Sequence, residues 1–313
     1  MINVFSLSKL SDISNINDDS CAISDSEKIA IDLLGKEYAT KSNGKKALLN
    51  IIDQSELPEM VYNSNAIENS TLTLAETEKI LLEQKVMRLV SVRELFEAKN
   101  LARVQEYMWN HPNLPLDNET ILFLHQMLIG GIDDNISGRF RRDNEWVRVG
   151  SHIAVNPAFV NGLMTELLDD YNTASSAYFL EKIAKFHAVF EYIHPFCDGN
   201  GRMGRLLLNL QLSRNNFPPI IVHNKNKHTE YYPLFREYQN NKKWRGFANL
   251  FVRLLKESLN KRLGYLGDKK IIRLSDYAKQ NSLNINALLN KAHRQTIPAF
   301  RERGTWKIGL PIG

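Results

Sequence analysis

Residues 194–205 read HPFCDGNGRMGR and place several reactive side chains within twelve positions. His194 is the one group in the stretch able to take a proton near neutral pH. Asp198 offers an oxygen ligand for Mg²⁺, an ion that usually accompanies phosphates and keeps several waters. Gly199, Asn200 and Gly201 tolerate positive φ, which turns successive backbone N–H groups inward as an anion-binding nest. Arg202 and Arg205 stand three apart, on neighbouring turns of one helical face, and their forked guanidiniums suit phosphate oxygens. The combination describes phosphate-ester chemistry. No G-x-x-x-x-G-K-[ST] occurs in the chain, so a Walker-type NTPase has no support, and with no lysine in the nest the arginines must carry the phosphate charge. Taken singly, each group has a plainer reading: a capping histidine, a solvated arginine face, an ordinary turn. Their coincidence in one short loop argues against all of these at once. Cys197 is given no role.

Two helices must hold this loop. Pro195 disfavours the helical region at His194, so the preceding helix stops near Ile193, and a new one starts near Arg202. Phe196 anchors the loop in the core. The rest of the chain is mostly helical by its apolar spacing, with Thr73 and Glu76 forming a capping box. Residues 137–157 differ: WVRV and HIAV flank Gly150-Ser151, which predicts a short β-hairpin. GYLGDKK (264–270) reads as a linker. Beyond it, the helices LSDYAKQ and NINALLNKAHRQ and a hairpin AFRERGTWKIG turning at Arg303-Gly304 predict a winged-helix or helix-turn-helix module.

The loop resembles the Fic-domain signature H-P-F-x-[DE]-G-N-G-R-x-x-R at all nine specified positions: His194, Pro195, Phe196, Asp198, Gly199, Asn200, Gly201, Arg202 and Arg205. The wider resemblance covers roughly residues 55–255. It implies a mainly α fold: a Fic-type helical bundle with a short β-hairpin flap, joined to a small C-terminal winged-helix-like domain. On this basis residues 1–110 form an N-terminal helical region, 111–263 the catalytic core and 264–313 the basic module. The implied activity is transfer of AMP from ATP to a hydroxyl of a target protein. His194 deprotonates that hydroxyl, and Asp198 holds Mg²⁺. Gly199, Asn200 and Gly201 steady the α-phosphate, while Arg202 and Arg205 bind the β/γ end.

Other stretches extend the resemblance. SNAIEN (64–69) puts Ser64 and Glu68 on one helical face and resembles the family's inhibitory motif [ST]-x-x-x-E-[GN], completed here by Asn69. The resemblance implies that Glu68 pairs with Arg205 where the ATP γ-phosphate belongs; the plain alternative is a surface Ser–Glu pair. GRFR (138–141) and VRVGSH (147–152) resemble the segment and flap before the catalytic helix, and a hairpin edge can pair with an extended target segment. EYYPLFREYQNN (230–241) resembles the adenine side, with Tyr231 and Tyr232 lining the base pocket; an aromatic pair packed in a core is the rival.

Composition bounds these readings. The 313 residues suggest two or three domains, and 43% hydrophobic with 24% charged residues is ordinary for a folded cytosolic protein. No apolar run is long enough to cross a bilayer, and the N-terminus has no basic region followed by an apolar stretch. Cys21 and Cys197 form no metal-type pair, so a reducing, cytoplasmic location is expected. The net charge of +5 is unevenly spread: residues 265–313 carry +6 and the remainder −1. That tail supports a reading from another class, a DNA-binding regulator in which Arg294, Arg301 and Arg303 lie on the recognition helix and wing. A further alternative is transfer of another phosphate-containing group by the same scaffold, although Gly201 favours AMP. A homodimer and AMP removal stay open.

Overall fold

The computed structural model describes residues 8–13, 22–86, 88–150, 152–174 and 176–311. The chain opens with a single turn, α1 (Leu10–Ile13), and then α2 (Asp25–Ser42), which is capped by the Ser24 hydroxyl accepting from the Glu27 N–H. Asn43 and Gly44, the latter at φ 73°, end α2. α3 (Lys46–Ile67) follows. The capping box at Thr73 is present and starts α4 (Leu74–Glu78), which continues as one π-helical turn through 83. Ser91 and Asp117 cap α5 (Val92–Asn110) and α6 (Asn118–Ile129) through side-chain oxygens. The predicted hairpin is real but short, β1 (Arg148–Val149) against β2 (His152–Ile153).

Helices α7 (Val160–Thr173), α8 (Phe179–Ile193), α9 (Asn200–Arg214), α10 (Tyr232–Asn241) and α11 (Arg245–Leu266) complete the body. One apolar core runs through it from Leu10 to Leu259, with α8 and α9 at its centre. Phe186, Phe190, Phe196, Phe247 and Phe251 are all fully buried there. Each such side chain contributes roughly 1.5–3 kcal/mol relative to exposure, so the loop between α8 and α9 hangs from the most rigid part of the molecule. Among the described residues, no helix is long and apolar enough to cross a membrane.

The C-terminal module consists of β3 (Lys270–Arg273), α12 (Leu274–Gln280), α13 (Ile285–His293), β4 (Ala299–Glu302) and β5 (Thr305–Leu310), with antiparallel strand order β3-β5-β4. Both helices and the hairpin lie where the sequence puts them. The linker does not: α11 runs on through Leu266, and Lys270 already opens β3. The strand forms because Ile272 pairs with Ile308 across the sheet, while Gly264 lies under Phe300 and Ile271 and lets α11 approach closely. The module has its own small core of Leu274, Ala278, Leu288, Ala292, Ala299 and Ile308.

The wing is turned toward the body. Arg301 grips Glu257 of α11 through Nε and Nη2, at 2.8 and 2.7 Å. The Arg303-Gly304 turn, with both residues at positive φ, donates its two N–H groups to the Glu59 carboxylate of α3, and Arg303 Nη2 lies 2.9 Å from Glu78. Beneath the wing, Lys261 pairs with Glu56 at 2.8 Å and Arg262 with Asp53 and Glu56 at 2.7 and 2.6 Å. Arg301 and Arg303 thus lie on the wing as expected, and both also pair with acidic side chains of this chain, Arg303 with its side chain 66% exposed.

Candidate active site

α8 stops at Ile193, and His194 takes the left-handed conformation at φ 53° and ψ 63°. The proline that follows makes a helical His194 unfavourable. A buried arginine then fixes the alternative. Arg141, 1% exposed, donates from Nε to the His194 carbonyl at 2.7 Å and from Nη2 to the Ile193 and Val155 carbonyls. A guanidinium at a helix C-terminus also answers the partial negative charge there. Burial lowers Arg141 to about 10, which still leaves it charged at neutral pH. Phe196 is fully buried, and its ring stacks on His125 at 3.7 Å. The Gly138 N–H donates to His125 Nδ1, so Nε2 carries the proton and donates to the Asp198 carbonyl at 3.1 Å. Burial holds His125 down to about 4, consistent with that neutral ring.

The turn differs from a three-residue nest. Of its three small residues only Gly199 has positive φ, at 79°, and α9 starts at Asn200, two residues earlier than predicted. The reason is the Asn200 side chain, which accepts from the Phe196 N–H and donates to the Phe196 carbonyl, both at 2.8 Å. Asn200 is thus a clip that closes the loop, with both ends of its amide consumed. The anion-attracting element is the N-terminus of α9, whose first turn contains Gly201.

The charged groups surround that terminus. Arg202, 3% exposed at its side chain, lies 3.2 Å from Glu97 and 3.3 Å from Asp198, and its Nε is buried with no hydrogen-bond partner among the described residues. Asp198 accepts from the Gly199 N–H at 2.6 Å and pairs with Arg93 of α5 through its other oxygen. Burial alone would raise the Asp198 carboxyl; Arg202, the Gly199 N–H and Arg93 together bring it below its ordinary value. Among the described residues no cluster of three or more His, Cys, Asp or Glu could hold a metal, so Asp198 stands as a single carboxylate.

Ser64 and Glu68, 141 and 137 residues before Arg205, meet it here. Arg205 Nε donates to the Ser64 hydroxyl at 2.9 Å, and Nη2 to the Ser64 carbonyl at 2.9 Å and the Glu68 carboxylate at 2.8 Å. Glu68 also lies directly over Gly201, where a Cβ would stand 2.2 Å from its Oε1. Asn69, at φ 67°, turns the chain after α3. Lys227 seals this end: Nζ donates to the Ala66 and Ile67 carbonyls and to Asn69 Oδ1 at 2.8, 3.2 and 3.0 Å.

The two tyrosines separate. Tyr232 is half-buried and donates its hydroxyl to the Ile67 carbonyl, beside Glu68. Tyr231 is 2% exposed, 2.8 Å from His187 Nε2 through its hydroxyl and packed on Phe235 and Phe247, so it belongs to the core rather than to a base pocket. Sequence reasoning missed Arg141, Arg93, Glu97 and Lys227. Only Arg141 carried a local signal, since it ends the GRFR stretch already marked as special.

Residues 115–212 match the family model described as Fic/DOC family. The "Protein adenylyltransferase Fic" of Drosophila willistoni is 34% identical over 176 residues, covering 55% of this chain and 35% of that protein. Its namesake in Drosophila virilis is 30% identical over 257 residues, covering 78% of this chain and 50% of that protein. The chain thus spans a third to a half of the length of these curated relatives. Among solved structures, Fic-1 from Caenorhabditis elegans superposes with a TM-score of 0.65 at 26% identity, over 77% of this chain and 72% of that one. A Fic-domain signaling protein from Bacteroides thetaiotaomicron shares the fold, with a TM-score of 0.69 at 24% identity over 77% of this chain and 97% of that one. The loop between α8 and α9, the acidic clasp on Arg205 and these matches agree: the chain carries a Fic/DOC-family domain at residues 115–212 within a larger helical body.

Proposed function

We propose that the protein transfers AMP from ATP to a hydroxyl side chain of another protein and is restrained by its own Glu68. The observation that carries this reading is the clasp on Arg205: a carboxylate sits over the α9 N-terminus, on the guanidinium best suited to a terminal phosphate. His194 takes the proton of the incoming hydroxyl. Its oxygen then bonds to the α-phosphorus as the bond to the pyrophosphate oxygen breaks, and pyrophosphate leaves. The α9 N–H groups, Arg202 and Arg205 carry the charge that develops, so catalysis is mostly positioning and electrostatic stabilisation. Asp198 is the residue that would hold Mg²⁺; one carboxylate plus substrate phosphates is a usual set for that ion, and when bound it neutralises phosphate charge. Arg93 has to leave the Asp198 oxygen it pairs with first. Tyr232, beside Ile67, is the remaining aromatic candidate for the adenine side.

The test is incubation of Glu68→Gly with cell lysate, Mg²⁺ and α-labelled ATP. Label on protein at least about tenfold above wild type, abolished by His194→Ala, is expected. No gain over wild type in a folded Glu68→Gly protein overturns the reading.

A second reading has one favouring observation. Lys279 of α12 and Lys291 and Arg294 at the end of α13 are exposed and in none of the ion pairs among the described residues, with Asn286 and Asn290 exposed on the same helix. Duplex DNA would meet this helix and not the wing. A salt-dependent mobility shift lost on Lys291→Glu with Arg294→Glu supports it, and no shift at low salt ends it.

A further inference from the structure

Glu191 lies one turn before His194 on α8. Its side chain is 8% exposed, and Oε1 has no hydrogen-bond partner among the described residues. Buried polar atoms of this kind are few in folded proteins and call for an explanation. Space has been cleared for this one: a Cβ on Gly204 would stand 2.2 Å from Oε1 and 3.2 Å from the His187 ring, so α9 carries glycine where the carboxyl lies. The groups facing it are His187 and His194 of its own helix, Arg205 of α9, Glu68 at the end of α3 and the Tyr231 phenol. The His194 ring turns Nδ1 toward Glu191, 3.3 Å from its main-chain carbonyl and 3.9 Å from its carboxyl oxygen. The opposite nitrogen, Nε2, is the one remote from Glu191.

We infer that Glu191 is a positioning residue for the proposed transfer: its main-chain carbonyl accepts from Nδ1–H of His194 and its buried carboxyl braces the ring from the inner side, so that Nε2 is the nitrogen that accepts the proton of the incoming hydroxyl. The inference rests on the transfer reading. Burial drives the Glu191 carboxyl up to about 8, with Glu68 adding to the rise and Arg205 opposing it. At pH 7 the group is therefore mostly the neutral acid, which can pack beside the imidazole without charging it. An ionised carboxylate at this distance would favour the imidazolium, which cannot act as base.

The test uses full-length protein in the Glu68→Gly background. Glu191→Ala should lower kcat about tenfold or more while KM for ATP moves less than about threefold, since the variant leaves the phosphate contacts in place. Glu191→Gln, uncharged at every pH, should restore kcat at pH 7 to within about threefold of the parent and remove the alkaline limb that ionisation of Glu191 gives the parent. A second readout is independent of transfer: ¹⁵N and ¹³C signals of the His194 ring should report the Nδ1–H tautomer in parent and variant, held by the residue-191 carbonyl, and should be displaced and broadened in Glu191→Ala, where the brace is gone. Ring signals unchanged in position and width in a folded Glu191→Ala protein overturn the inference, as does a loss of activity that Gln does not restore. If the Glu68→Gly parent itself labels no protein, the transfer reading fails, and the ring shifts still judge the role of Glu191.

Discussion

The arginines at the α9 terminus and those under the C-terminal wing are both paired with carboxylates, yet the two sets differ in one respect. At α9 each outer pair has an exposed member: Glu68 is 42% exposed against Arg205 at 8%, and Arg93 is 54% exposed against Asp198 at 33%. Under the wing both members are buried: Arg262 at 1% against Glu56 at 7%, and Lys261 at 4% against the same glutamate. An acid or base with one foot in water can swing out and be solvated, so its pair contributes roughly 0–1 kcal/mol. A pair buried on both sides cannot open without stranding a charge, at a cost of roughly 3–5 kcal/mol. The first arrangement is suited to exchange with an incoming anion, the second to holding two parts of the molecule together.

The contrast can be broken at its strong end first. Arg262→Ala leaves Asp53 and Glu56 without their buried partner, and we expect a loss of roughly 3–5 kcal/mol in urea unfolding. A loss under 1 kcal/mol would mean that the α3–α11 contact beneath the wing is no firmer than the pairs at the loop. Next comes acid. Burial lowers His187 to about 3 and His125 and His223 to about 4, all below the unfolded value of 6.5. Their native state binds fewer protons than the unfolded chain, so their contribution is whole above pH 6.5 and is lost as pH falls toward 4 and 3. The melting temperature should drop steeply across that window, and a flat profile would contradict the buried neutral rings. Glu191 acts in the opposite direction, because its raised value makes the native state hold a proton longer; Glu191→Gln should gain stability over wild type as pH rises from 5 to 8. Smallest is Arg93→Ala. Its exposed pair with Asp198 should shift stability by no more than about 0.5 kcal/mol, measured by the same urea titration. A larger loss would place Arg93 among the structural pairs.

Much of this was legible in the sequence where chemistry is contiguous. His194 to Arg205 form one run, and the two helices and hairpin of the C-terminal module show their periods within a few residues. What escaped depends on distant partners. Arg141 gains its role from carbonyls about fifty residues on, and Lys227 from a helix end 160 residues before it. β3 is four residues long and is a strand only because Ile308 pairs with Ile272. The early start of α9 follows from the Asn200 clip, which no propensity encodes. Tyr231 reads as a pocket aromatic until His187 is seen to claim its hydroxyl. Ser64 and Glu68 could be paired in advance with Arg205 because an i, i+4 spacing and a family pattern agreed.

Pro58, the one residue of α3 that cannot donate to the helical ladder, precedes both Glu59 and Ser64. From Glu59 to Ile67 the backbone is one unbroken helical rod, and Asn63 braces it by donating to the Glu59 carbonyl at 2.8 Å. At 1.5 Å per residue, Glu59 and Ser64 are about 7.5 Å apart along its axis. The β4–β5 turn grips this rod at one point and Arg205 grips it at the other, with no joint between them. The wing and Arg205 thus hold one and the same helix, whose end places Glu68 over the α9 N-terminus.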